Sequence, residues 1–156
     1  MRKTVAFLML FIALVSCKST SVTNTKLDQK TEVMLKGDWM ITSVDFPGSD
    51  YLKVMSFRLD DSQCFVGSNW NFISNNNKGT MSLNNPNCPS FSSPITWYVN
   101  TDGNVVLKII NDYKAKNVNS GFILALNNLT ENSFELVDTI SVAGKTKNIT
   151  YTFQRK

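Results

Sequence analysis

The sequence predicts an all-β domain, an antiparallel up-and-down barrel of eight or nine short strands, preceded by an amino-terminal segment of different character. Three observations predict it. Apolar and polar residues alternate with a two-residue rhythm in run after run. Short polar turns rich in Asn, Asp and Gly separate most of the runs. Almost no stretch between them has the 3.6-residue period of an amphipathic helix. A composition of 42% hydrophobic and 18% charged residues over 156 positions suits one packed domain.

The amino terminus comes first. Arg2 and Lys3 precede an apolar run at 5–15, the basic and hydrophobic regions of an export signal, and the run is too short to span a bilayer as a permanent helix. It ends Leu14, Val15, Ser16, Cys17. This resembles the lipobox of bacterial lipoproteins, which implies that residues 1–16 are removed and that Cys17 becomes a lipid-bearing first residue. Two or more acyl chains would hold such a protein stably at a membrane. Residues 18–30 are polar, rich in Ser and Thr and without periodicity, so a flexible linker is expected over 17–31 and the barrel over 32–156. Lys18, Ser19, Thr20 and Ser21 follow the Cys in place of an acidic run. The expected location is the cell envelope, at the outer membrane and facing the periplasm.

With Cys17 committed to lipid, Cys64 and Cys88 remain, and an oxidising compartment favours their bond. Closing the span of 88 − 64 = 24 residues is worth roughly 3.5 kcal/mol on the chain-entropy model. A metal-binding or reactive thiol pair has no histidine or third ligand to complete it.

Along the body, residues 31–35 suit one turn of helix. Gly37, Trp39 and Ile41 then alternate with Asp38 and Thr42 in a first strand, and Met55, Phe57 and Leu59 alternate with Ser56 and Arg58 in a second at 54–59. Residues 69–73 continue the pattern, and an Asn-rich turn at 74–79 leads to 80–83. Past a Pro-containing connection that holds Cys88, strands are expected at 95–100, 105–110, 122–126, 134–138 and 148–155. Closing this meander into a barrel removes exposed edges, while a β-sandwich is the structural alternative.

Gly37, Asp38 and Trp39 form Gly-x-Trp in the first strand, and the last strand ends Tyr151, Thr152, Phe153, Gln154, Arg155. This resembles the lipocalin family, in which the tryptophan closes the barrel base and an arginine of the final strand lies across its indole. Arg155 shares a face with Phe153 and Tyr151, the parity that arrangement requires. Bacterial lipocalin-like lipoproteins also place a Cys shortly before a Gly-x-x-Trp-x-Phe strand and finish Thr-Phe-x-Arg, which here are Cys64, Gly67, Trp70 and Phe72, then Thr152, Phe153 and Arg155. The family's Thr-Asp-Tyr signature is not visible, so no ligand preference carries over. META-type β-domains also begin with Gly-x-Trp and are the rival resemblance.

The chain has no histidine, which removes the commonest general base and metal ligand. Ser/His/Asp and Cys/His constellations cannot be built. Asp60 and Asp61 are neighbours that suit a solvated turn better than a catalytic dyad. Neither catalytic nor metal-binding residues are assigned, no cofactor is implied, and the chain reads as a non-enzyme. Without Arg2 and Lys3 the charge is 14 − 12 = +2, and its cations form no stripe with interleaved aromatics, which argues against a nucleic-acid partner.

The inward positions of the barrel reading are Trp39, Ile41, Met55, Phe57, Trp70, Phe72, Met81, Trp97, Leu107, Leu136, Tyr151 and Phe153. Of these, Trp39, Phe57, Trp70, Phe72, Trp97 and Tyr151 are the candidates to line an apolar calyx. An eight-stranded barrel is wide enough either to hold one small ligand or to be filled by its own side chains. Two functions follow from the two cases. One is a membrane-anchored module that binds or carries a small hydrophobic molecule in the envelope, with an open mouth and a cavity of a few hundred Å³. The other is an accessory or inhibitor lipoprotein with a filled barrel and a protein partner, using the exterior and loops such as 111–120.

Overall fold

The computed structural model describes residues 29–48, 51–111, 121–142 and 144–156. The export segment, Cys17, most of the expected linker and nearly all of the 111–120 loop therefore lie outside the described residues.

Eight antiparallel strands close on themselves: β1 (Gly37–Asp45), β4 (Asn69–Ile73), β5 (Lys78–Leu83), β6 (Phe91–Val99), β7 (Val105–Ile109), β8 (Phe122–Asn127), β9 (Ser133–Val142) and β10 (Lys145–Arg155). Each pairs with its neighbour in the chain, and β1 joins both β4 and β10, so the wall has no free edge. The order is an all-β meander, and closure excludes the sandwich.

The two-residue rhythm becomes the inside and outside of this wall. Trp39 and Ile41 of β1, Trp70 and Phe72 of β4, Met81 and Leu83 of β5, and Ile95, Trp97 and Val99 of β6 are buried. Val105 and Leu107 of β7, Leu124 of β8, Phe134 and Leu136 of β9 and Ile149, Tyr151 and Phe153 of β10 complete the interior. At about 25 cal/mol per Å² of apolar surface withdrawn from water, this burial is the main force holding the barrel shut. Gly79 marks a tight point in the wall, because a Cβ there would stand 2.0 Å from the carbonyl oxygen of Asn71 on β4.

Four features depart from the sequence expectation. In β1 the register slips between Ile41 and Ser43 against Phe153 and Thr152 of β10, a bulge that moves the next buried residue to Val44. The expected strand at 54–59 is a short hairpin instead, β2 (Met55–Ser56) paired with β3 (Asp60–Asp61), because Phe57 and Arg58 both take positive φ. Met55 consequently points to solvent at 66% exposure, a correction to its inward assignment, whereas Phe57 is buried at the hairpin tip. Strand β6 starts at Phe91 and runs through Pro94, whose carbonyl still accepts from the Ile110 N–H. The helix α1 (Gln29–Leu35) begins at Gln29 rather than at residue 31 and so takes the end of the expected linker. Its Glu32 is buried and accepts from the Val99 N–H, which fixes the helix across that end of the barrel.

Asp60 and Asp61 do not form a dyad. The Asp61 carboxylate accepts from the Gln63 N–H and caps the 3-10 turn Ser62–Phe65.

Candidate functional site

The two ends of the barrel are built differently. At one end, Trp39 is wholly buried and donates its indole N–H to the Leu35 carbonyl of α1 at 2.8 Å. The Arg155 guanidinium carbon lies 4.1 Å from the Trp39 ring centroid, a cation over an aromatic face. Its nitrogens also donate to Met34 O and Lys36 O, each at 3.0 Å, and to Glu131 O at 2.5 Å. Gly37 makes room for this, since it sits at φ +128° and a Cβ there would meet Arg155 Nη1 at 2.6 Å. This end is closed by Gly37, Trp39 and Arg155 together.

At the other end the closing piece comes from a loop. Residues after β1 leave the wall, form the β2–β3 hairpin and the 3-10 turn, and return to β4. The Cys64–Cys88 disulfide ties that turn to the β5–β6 connection. Gln63 Nε2 donates to Val44 O, and the Gly67 N–H donates to Ile41 O, so the returning segment continues the sheet alongside the upper half of β1.

From the hairpin tip the Phe57 ring drops into the barrel. Its centroid stands 5.0 Å from Phe65, 5.0 Å from Tyr151, 5.2 Å from Phe122 and 5.9 Å from Trp70. Beside it the Ser56 hydroxyl and the Tyr151 phenol hydroxyl share a buried hydrogen bond of 2.5 Å. Below, Trp70 and Phe72 stack, Phe153 and Phe134 stack at 4.5 Å, and Trp97 meets Phe72 edge-on at 5.1 Å. The Trp70 and Trp97 indoles donate to Ser68 Oγ and Lys78 O, so neither leaves a buried donor unpaired.

All six candidate lining residues, Trp39, Phe57, Trp70, Phe72, Trp97 and Tyr151, thus come together in one aromatic column. The column fills the space that an open calyx of several hundred Å³ would need. Two hollows among the described residues lie outside the column: one of about 550 Å³ beside Asp38, Asn71, Ser82 and Lys156, and one of about 530 Å³ between residues 51–53 and the disulfide.

The electrostatics of the loop end follow from burial. Asp138 shares the inward parity of Phe134 and Leu136 on β9, and desolvation holds its carboxyl above the usual range, partly offset by the Thr139 backbone. Burial also pushes the Tyr151 phenol well above its ordinary value; the Ser56 bond works against the shift and the Asp138 charge adds to it. Both groups sit at the top of the column.

A model of the family described as "Lipocalin-like domain" matches residues 35–136, from the end of α1 to the middle of β9. The chain belongs to the lipocalin-like domain family. Among solved structures this lipocalin-like domain is similar to a bovine odorant binding protein complexed with its natural ligand, at 12% identity and TM-score 0.46 over 79% of this chain and 72% of that one. It is also similar to an odorant-binding protein from bovine nasal mucosa, at 12% identity and TM-score 0.45 over 79% and 72% of the two chains. No curated protein matches the chain.

Among the described residues of the lipocalin-like domain, no group of three or more Cys, Asp or Glu could hold a metal ion. No described helix is long and apolar enough to cross a membrane. Sequence reasoning missed the roles of Ser56, Phe65, Phe122 and Asp138. Ser56, Phe122 and Asp138 fall within the expected runs 54–59, 122–126 and 134–138, but alternation does not say which residues meet at the loop end.

Proposed function

We propose that this chain is a membrane-anchored lipocalin-like lipoprotein that binds or carries a small hydrophobic molecule in the cell envelope. The observation that carries the reading is the contrast between the two ends. The Trp39–Arg155 end is closed by strands and helix, whereas the opposite end is closed by one ring from a loop, over walls made of Phe65, Trp70, Phe122 and Tyr151. An apolar enclosure with a few polar groups at its rim is the usual form of a small-molecule site. Because the aromatic column fills the lower barrel, the molecule taken is of one-ring size and sits at the loop end. The lipobox at Leu14–Cys17 supports an anchor at Cys17. A tether leading into α1 would bring the chain to the Trp39 end and leave the Phe57 end facing away from the bilayer.

The test is binding of 4-fluorotoluene to the purified chain by ¹⁹F NMR, together with native mass spectrometry for a co-purifying small molecule. A probe resonance that shifts or broadens saturably and is displaced by other single-ring aromatics supports the reading; the lack of both signals in every preparation removes it.

A second reading, a protein-interaction module, is favoured by the exposed Tyr51, Leu52 and Met55 on the same loop, at 92%, 42% and 66% exposure. A photo-crosslinker placed at Tyr51 in intact cells should then yield a discrete adduct that Met55→Ser abolishes.

A further inference from the structure

We propose that Phe57 and Ser56 stand in for the ligand, and that the molecule this barrel takes is a single aromatic ring bearing a hydroxyl, admitted when the β2–β3 hairpin withdraws. The inference rests on the small-molecule reading above and goes beyond it by naming the chemical class and the gate.

The hairpin tip is a poor conformation for its sequence. Phe57 at φ 52° and Arg58 at φ 55° are the two central residues of the turn closed by Leu59 N–H to Ser56 O at 3.0 Å. Consecutive positive φ suits Asn and Gly, and a bulky aromatic there is rare. The turn persists because the Phe57 ring is buried among four others. The hairpin itself is only two residue pairs long. Loss of ring contact therefore favours release of the hairpin.

The class of ligand follows from what withdrawal would leave. Phe57 and Ser56 are adjacent, so they leave together. Removal of the first empties a cage lined by Phe65, Trp70, Phe122 and Tyr151. Removal of the second deprives the buried Tyr151 hydroxyl of its 2.5 Å partner. A buried hydroxyl without a partner is costly, and an aliphatic or plain aromatic molecule leaves that cost in place. A phenol replaces the ring of Phe57 and the hydroxyl of Ser56 at once. An apolar cavity of about 150 Å³ is enough for a benzene-sized molecule.

The experiment titrates 4-fluorophenol and fluorobenzene into the full chain by ¹⁹F NMR, for the wild type, Phe57→Ala, the double variant Phe57→Ala with Ser56→Ala, Arg58→Asn and Tyr151→Phe. Removing a resident competitor raises apparent affinity by the reciprocal of the fraction of time the site stands open. The double variant should bind 4-fluorophenol at least about tenfold tighter than the wild type, and about tenfold tighter than it binds fluorobenzene. Arg58→Asn relaxes the turn, because Asn tolerates the left-handed region, and should weaken 4-fluorophenol binding about threefold. Tyr151→Phe should erase the preference for the phenol. Equal affinity of the double variant and the wild type, with near-ultraviolet circular dichroism unchanged, overturns the proposal. If the double variant does not fold, Arg58→Asn decides it: unchanged or tighter binding overturns the proposal. Wild-type binding of the 4-fluorotoluene probe with no effect of these substitutions keeps the carrier reading and discards the gate. Binding by the variants alone is what any engineered apolar cavity shows, and it overturns the proposal.

Discussion

The Arg155 guanidinium lies 4.1 Å over the Trp39 ring and joins the last strand to the first, while its nitrogens collect the carbonyls of Met34 in α1 and of Lys36 just past its end. Strand pairing already places Trp39 opposite Arg155. The side-chain contact adds a lock on helix and barrel together. The cation over the ring is worth about 0.5–1 kcal/mol at an exposed site, and the charge-assisted hydrogen bonds add to it.

Arg155→Ala should therefore cost about 2–3 kcal/mol in urea unfolding, since it removes the cation and its three carbonyl contacts. Arg155→Lys should recover less than half, because an ammonium cannot present the planar fork that reaches Met34, Lys36 and Glu131 together. Full recovery by Lys would show that charge alone matters.

Gly37→Ala should destabilise by about 1–3 kcal/mol and shift Trp39 emission. The new methyl meets the guanidinium 2.6 Å away, at a φ of +128° that L-residues avoid. Unaltered stability would mean that the guanidinium has room to move aside.

Reduction of Cys64–Cys88, or the double substitution to Ser, should lower stability by roughly 3.5 kcal/mol. Core amides that exchange by global unfolding should all speed up, and the 3-10 turn Ser62–Phe65 should in addition open locally, because the bond ties that turn to the β5–β6 connection. Exchange in the turn that rises no more than in the rest of the barrel would contradict this.

Tyr151→Phe should cost about 1–3 kcal/mol by leaving the buried Ser56 hydroxyl unpaired, and Ser56→Ala added to it should recover part of that cost. Burial raises the Tyr151 phenol, so the folded chain resists ionisation that the unfolded chain allows. For a raised acid the unfolded state loses its proton first. Wild-type stability should therefore fall as pH climbs through the ordinary tyrosine range near 10, and the Phe variant should show a shallower decline.

Asp138 obeys the same sign in acid. Its raised carboxyl keeps its proton longer in the folded state, so its contribution is whole below the ordinary value of 3.8 and is lost as pH rises toward its native value. Asp138→Asn should remove that decline and leave the domain more stable near neutrality. Thermal melts of both proteins from pH 3 to 7 should converge at the acid end.

Hydrophobic alternation determined most of this protein. Strands at Trp39, Trp70, Trp97, Leu107, Leu136 and Phe153 were legible because a half-buried strand must repeat every two residues, and the Gly37, Trp39 and Arg155 pattern named the family. Cys64 and Cys88 were legible as a pair once the lipobox resemblance set Cys17 aside. The tertiary structure alone decided what happens where that period breaks. The bulge after Ile41 hides an extra residue that burial of Val44 later justifies. Phe57 looked like one step of a strand, yet its backbone turns left-handed because four rings from β4, β8, β10 and the 3-10 turn surround it. Those rings lie far from it in sequence, and no local propensity records their approach. How closely the inward side chains pack was likewise decided by the tertiary structure, since a pattern states which side chains face inward but not whether they meet.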